Sequence, residues 1–256
     1  SQYEDLRVVN SRFNENRSSR QGGAIATNFS QIEIVSSIFR NNTASDIGGA
    51  IYNHRFAEPS VIVKSEFYEN QSIQGGAVYN FSEEGLKIAN TLFHRNTATD
   101  KGGAIFNYRV IQIANSTFVG NTNTAVIIPS YGTTQYNPYS SNIFNSIFYQ
   151  NTGKSGGFRP DINSEEIARD DSDKDIRRNI VQTYNLGTAN LIGVNPLFIN
   201  NSANFRVQQT SPAVNYGVNA LYNQVSATPA GTSTDLANLP RLVGASIDLG
   251  AYEVQP

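Results

Sequence analysis

Cysteine, methionine and tryptophan are all absent from the 256 residues, and charge is sparse, with 16% of positions charged and a formal net charge of −2. Without cysteine there is no disulfide framework, and no thiolate to hold a metal or act as a nucleophile. The weak, slightly acidic balance lacks the basic footprint of a nucleic-acid binder, so no nucleic-acid partner is expected. No apolar run approaches the roughly 20 residues that span a bilayer, so no transmembrane segment is expected in this stretch. The missing oxidisable side chains and the wealth of Asn, Ser, Thr and Tyr suit a secreted or cell-surface protein. The chain opens at Ser1 in the middle of a repeat, and further coils are expected ahead of it.

What is present is repetition. The pattern Ser/Thr–x–Phe–x–x–Asn occurs six times, with its aromatic at Phe13, Phe39, Phe67, Phe93, Phe118 and Phe148 and its amide at Asn16, Asn42, Asn70, Asn96, Asn121 and Asn151. The Phe-to-Phe steps are 26, 28, 26, 25 and 30 residues. Self-similarity at this period marks a solenoid, whose unit cannot bury its apolar face alone. A propeller blade is longer, and the Leu–x–x–Leu–x–Leu frame of a leucine-rich repeat is missing.

Aligned on the phenylalanine, each column has a physical identity. Five residues earlier stand Val8, Ile34, Ile62, Ile88, Ile113 and Ile143; one residue before those the column is mostly polar. That is the period-2 alternation of a half-buried strand. A second strand follows each glycine pair, as in Gly48–Gly49–Ala50–Ile51–Tyr52–Asn53 and its counterparts at 22, 75 and 102. A third is expected in the variable stretch between. The glycines supply a tight bend or a close backbone approach. The fold is therefore all-β, a single-stranded parallel β-helix of about six or seven coils of ~25–28 residues, with rungs ~4.8 Å apart. The Phe column should stack inside, the Asn column should form a ladder of side-chain amides, and the Ser/Thr column a ladder of hydroxyls. These residues are read as structural. Residues 1–186 make the repeats, with loop insertions at 129–141 and 159–178; residues 187–256 make an irregular capping segment of the same domain, in which Asp235, Arg241, Asp248 and Glu253 are read as buried structural pairs.

Gly–Gly–Ala–(Ile/Val) followed by Phe–x–x–Asn resembles the repeat of chlamydial polymorphic outer-membrane proteins, adhesin-like β-helices carried on autotransporters. The later stretches Asn195–Pro196–Leu197–Phe198, Ser211–Pro212–Ala213–Val214–Asn215 and Ile247–Asp248–Leu249–Gly250–Ala251–Tyr252–Glu253 are similar to bacterial choice-of-anchor Q proteins. Together the resemblances imply a right-handed parallel β-helix of pectin-lyase-like shape on a secreted or surface-anchored bacterial protein. They imply no single activity.

Function on a solenoid usually sits where the repeat is broken. Tyr131, Tyr136 and Tyr139 lie in a Pro/Gly-rich break and suit stacking on sugar rings. Alternation turns Tyr52, Tyr79 and Phe106 outward, with Arg55 and Arg109 after matching Asn corners as a second patch. Asp171, Asp173 and Asp175 alternate like the opening of a calcium loop, yet Ile176 stands where an EF-hand needs glycine. A looser calcium site is the one cofactor considered. The leading expectation is an adhesin-like module contacting polysaccharide, surface glycan or another surface protein. The alternative is a polysaccharide lyase or glycoside hydrolase, possibly calcium-assisted. It needs paired carboxylates or a base beside a cation, and no outward column carries a tight acidic pair.

Overall fold

The computed structural model describes residues 5–54, 59–82, 84–128, 141–153, 159–164, 174–183, 187–226 and 232–256. They form a parallel β-solenoid with four strands to a coil, not the two or three that the columns suggest. In the first coil these are Leu6–Val9, Arg12–Asn14, Arg17–Ser18 and Ile25–Asn28. Each founds a parallel sheet, here called in turn the aliphatic, phenylalanine, short and glycine-led sheets, of seven, eight, four and six strands. The phenylalanine column is itself a strand; its three-residue length hides the alternation that reveals the other two.

Register follows the sequence columns. Val8 pairs with Ile34, Phe13 with Phe39 and Ile25 with Ile51. The Phe rings stack face to face with centroids 4.7–4.9 Å apart and planes within 10°. Strand spacing imposes this geometry on rings that would otherwise prefer an offset. With the inward Ile, Val, Leu and Ala columns they form one continuous core.

Tight corners need left-handed backbone, and the chain supplies it in columns. Asn10, Ser36, Lys64, Asn90, Asn115 and Asn145 end the aliphatic strands at φ 46–50°. Glu15, Asn41, Glu69, Arg95, Gly120 and Gln150 end the phenylalanine strands at φ 52–64°. Asn tolerates this region best among residues with a Cβ. The two glycines of each pair have different reasons. The first sits at φ 57–73° in Gly22, Gly48, Gly75 and Gly102. The second touches the rung above: a Cβ on Gly49 would lie 2.0 Å from the Gly76 carbonyl oxygen.

After the second corner the buried Asn column forms the expected ladder. Asn42 Nδ2 donates to Asn70 Oδ1 at 2.9 Å, Asn70 to Asn96 at 2.9 Å and Asn96 to Asn121 at 3.0 Å. Each Oδ1 also accepts the backbone N–H of the rung before, and each Nδ2 also donates to a phenylalanine carbonyl, so the amide is fully engaged. The donors end on acceptors: Asn151 N–H reaches Gln182 Oε1, while Asn151 Nδ2 and Gln182 N–H reach the carboxylate of Asp161. The Ser/Thr column makes no hydroxyl ladder. Each Oγ accepts a backbone N–H from the rung before and donates to the carbonyl two residues back, as Ser37 Oγ does to Val35 O at 2.9 Å.

Residues 159–178, expected as an inserted loop, contribute strands where they are described. Ile162–Ser164 extends the glycine-led sheet and Lys174–Arg177 the aliphatic sheet, because Ile162 and Ile176 fill inward columns. Past 187 one further strand, Leu191–Ile192, pairs with Ile180–Val181 before the solenoid pattern ends.

The rest packs along the outside of the corner between the aliphatic and phenylalanine sheets. An antiparallel hairpin, Phe198–Asn200 with Asn204–Val207, and a helix, Asn219–Ser226, cover two outward apolar strips. Val35, Val63, Ala89, Ala114 and Phe144 lie under Leu221, Tyr222, Val225 and Ile247. Leu92, Val119, Ile147 and Ile180 lie under Phe198, Phe205, Val207 and Leu249. The left-handed column between the strips pins the segment: Lys64 Nζ donates to Thr234 and Asn238, Asn90 to Tyr222, and Asn115 to the Asp248 carbonyl. Asp235, Arg241, Asp248 and Glu253 are all buried. Arg241 Nη2 donates to the carbonyls of Asp248 and Gly250, 3.8 Å from Glu253.

These contacts set the cost of single changes. Asn70→Ala strands a buried N–H and a buried amide of Asn42, so urea unfolding should show a loss of about 2–3 kcal/mol. Gly49→Ala should cost about 3 kcal/mol by overpacking. Arg7→Ala, which breaks an exposed ion pair to Glu33, should cost less than about 1 kcal/mol. Burial pushes Asp161 from 3.8 up to about 6 and Glu253 from 4.5 up to about 7, against the hydrogen bonds and, for Glu253, the Arg241 charge that oppose it. Both bind a proton more tightly folded than unfolded, so their contribution is complete in acid and is lost as pH rises through 6 and 7. The unfolding midpoint should therefore be lower at pH 8 than at pH 5, and Glu253→Gln should remove the upper part of that fall.

Candidate ligand-binding flank

Inward Ile51, Val78 and Ile105 alternate with inward Asn53, Asn80 and Asn107 on the glycine-led strands, so Tyr52, Tyr79 and Phe106 between them face out. The Asn residues form a second buried ladder, with Asn53 donating to Asn80 at 2.6 Å and Asn80 to Asn107 at 2.7 Å. That ladder fixes the strand ends and sets the rings above one another. Tyr52 and Tyr79 stack at 5.9 Å, and Tyr79 and Phe106 at 4.9 Å.

These rings are not the open stripe that alternation suggests. Tyr52 and Phe106 are buried and Tyr79 is half-buried. Burial also pushes the Tyr52 phenol above its ordinary range. The more accessible rings are a second file just past the Asn ladder, which the sequence columns did not reveal. Phe29, His54, Phe81 and Tyr108 follow at centroid steps of 5.6, 5.1 and 4.2 Å, and Tyr52 joins the files through His54 at 6.3 Å. Phe29 is 42% exposed and the other three are half-buried. The signal was present as aromatics directly after the corner position, but in the first coil it is displaced by one residue, to Phe29. Two cations lie over these rings. Lys101 Nζ is 5.7 Å from the Phe106 centroid, and the Arg109 guanidinium is 5.6 Å from that of Tyr108.

Of the residues singled out by sequence, Arg55, Tyr131, Tyr136, Tyr139, Asp171 and Asp173 lie outside the described residues. Asp175 sits on Lys174–Arg177, in register with Asn142, and accepts a hydrogen bond from Arg177. Among the described residues no group of three or more His, Asp or Glu is placed to hold a metal.

Two carboxylates of the phenylalanine sheet are engaged by cations or histidine. Glu69 lies between Arg40 and Arg95, and Glu66 is 3.0 Å from His94 Nε2. His94 is sandwiched between Tyr68 at 4.8 Å and Phe205 of the hairpin at 5.0 Å, so this cluster fastens the C-terminal segment.

Three stretches, residues 10–28, 36–54 and 90–108, match the family model of the Chlamydia polymorphic membrane protein (Chlamydia_PMP) repeat. Each runs from the left-handed residue after an aliphatic strand, through the phenylalanine, the ladder Asn and the glycine pair, to the end of a glycine-led strand. No curated protein and no solved structure matches the chain. No helix among the described residues is long and apolar enough to cross a membrane. The chain thus has three stretches similar to the polymorphic membrane protein repeat on a parallel β-solenoid, an arrangement that fits a bacterial cell-surface β-helix protein.

Proposed function

We propose that this protein is an adhesin-like surface module that holds glycan along its glycine-led flank. The observation that carries the reading is the pair of aromatic files, running parallel to the solenoid axis and bordered by Lys101 and Arg109. Sugar rings present flat C–H faces with hydroxyls at the edge, and aromatic rings with polar neighbours match both. A chain of sugars lying along the axis would meet one ring after another. Phe29, His54, Phe81 and Tyr108 are the contact residues favoured by exposure, with Tyr79 behind them. Tyr131, Tyr136, Tyr139 and Arg55, singled out by sequence alone, remain part of the same reading. A surface location, which the repeat suggests, would expose such a flank to glycans.

Screening the chain on a panel of polysaccharides and immobilised glycans should give binding to at least one class. Phe81→Ala with Tyr108→Ala should weaken it about tenfold, from about 0.5–1.5 kcal/mol per lost ring contact. Tyr68→Ala, on another sheet, should leave it unchanged, with cooperative melting confirming that all variants fold. Equal binding by the double variant would sink the reading. Release of reducing ends from any member of the panel, with or without calcium, would replace it with polysaccharide cleavage.

A further inference from the structure

The left-handed column that ends the aliphatic strands holds one anomaly between Asn10 and Asn145. Asn10, Ser36, Asn90, Asn115 and Asn145 are short and polar, and Asn above all bears this backbone at little cost. The remaining member is Lys64, at φ 49° and buried. For a lysine the corner offers no backbone advantage, and the contacts of its amine account for its presence. Nζ lies 2.6 Å from Thr234 Oγ1 and 2.7 Å from Asn238 Oδ1. Both partners sit on one tightly held turn of the C-terminal segment. Thr234 and Pro240 form an antiparallel bridge across it, and the buried Asp235 carboxylate accepts the N–H groups of Ala237 and Leu239. The Asn238 N–H donates to the Asp235 carbonyl at 3.1 Å. Burial holds the Lys64 amine below its ordinary range, against the Asp235 charge that raises it. Desolvation thus enlarges the fraction present as free amine, the nucleophilic form.

We propose that Lys64 and Asn238 join in a side-chain isopeptide bond, which fastens the C-terminal segment covalently to the third coil. The Nζ lone pair of the free amine forms a bond to Asn238 Cγ, and the Cγ–Nδ2 bond breaks. The departing nitrogen takes a proton given up by Nζ, carried by the Thr234 hydroxyl that already touches it, and leaves as ammonia. The amine and the carboxamide supply every atom and electron of the new amide, so no oxidant or other co-reactant is needed. The buried Asp235 carboxylate stabilises the positive charge that attack places on Nζ. Asn238 is exposed, which gives the ammonia a path to solvent. The fold supplies what two free side chains lack: an amine and a carboxamide held together by elements far apart in the chain. The inference does not depend on glycan binding.

Mass spectrometry of the intact, folded chain reads the bond directly. The mass should fall short of the sequence mass by one ammonia, and fragment spectra should join the peptides that carry Lys64 and Asn238. Lys64→Asn gives the corner the residue its neighbours use, so this variant keeps the fold and should show its full sequence mass. Asn238→Ala should do the same. In a denaturing gel the unaltered chain should run ahead of both variants, because a loop from 64 to 238 stays closed after unfolding. In newly made protein the linked fraction should grow faster in alkaline buffer, where more of the amine is free. Full sequence mass in an unaltered chain that melts cooperatively would overturn the inference. So would an ammonia loss that persists in Lys64→Asn, which assigns it to another residue. Loss of water with a link between Lys64 and Asp235 would also overturn it, because the carboxylate would then be the partner.

Discussion

A buried side-chain amide whose partners lie on the neighbouring rungs, one strand spacing away, governs this molecule. Asn has two donors and an acceptor with two lone pairs, and leaving any of them dry costs about 1–3 kcal/mol. In the ladder from Asn16 to Asn121 those groups find partners on the adjacent rungs. A slip of one residue would put the amide outside and a solvent-facing side chain within. The ladder therefore holds the chain from the aliphatic strand through the second corner to constant length, whereas the Phe-to-Phe step ranges from 25 to 30. The difference is discharged mostly after the glycine-led strand, where three residues lie between Asn107 and Ile111 and twelve between Ile128 and Ser141.

The second consequence concerns the outer corner. Once register is fixed, the left-handed residue ending each aliphatic strand points out beside an apolar strip, since Val63, Ala89, Ala114 and Phe144 recur just before it. Such a strip along several rungs is too apolar to leave wet. The C-terminal segment covers it and uses the polar column as its fastening. Asn145 both donates to Val218 O and accepts from Val218 N–H, a side chain acting as one more strand edge. The same Asn residues thus serve the backbone angle and the docking.

Columns were legible in the sequence wherever identity was strict. The Phe stack, the Asn ladder, the glycine pairs and the aliphatic alternation are all found where the repeat puts them. Three things were not legible, each for a physical reason. The four-strand count was hidden because strands of two and three residues are too short to show period two. The hydroxyl column was misread because a Ser at a corner has its own backbone within reach, and a local carbonyl is a nearer partner than a hydroxyl on the next rung. The exposure of Tyr52 and Phe106 was overestimated because alternation tells which way a side chain points and nothing of what later covers it. Asp161 shows the opposite limit. It lies in the stretch 159–178 expected as an inserted loop, yet a ladder of donors must end somewhere, and a carboxylate that accepts without donating ends it.

These constraints leave unequal freedom around the coil. The aliphatic and phenylalanine sheets meet at a corner occupied by the protein's own tail. The short sheet has four strands and no aromatic column. The glycine-led sheet is different on both counts that matter for recognition. Its outer face repeats aromatic residues on successive rungs, and its strands open into the connections where length varies without disturbing either ladder. A solenoid changes partners by changing what register does not control. Here that is one edge of one sheet, so rings held at fixed spacing by Asn53, Asn80 and Asn107 stand beside the segments freest to differ.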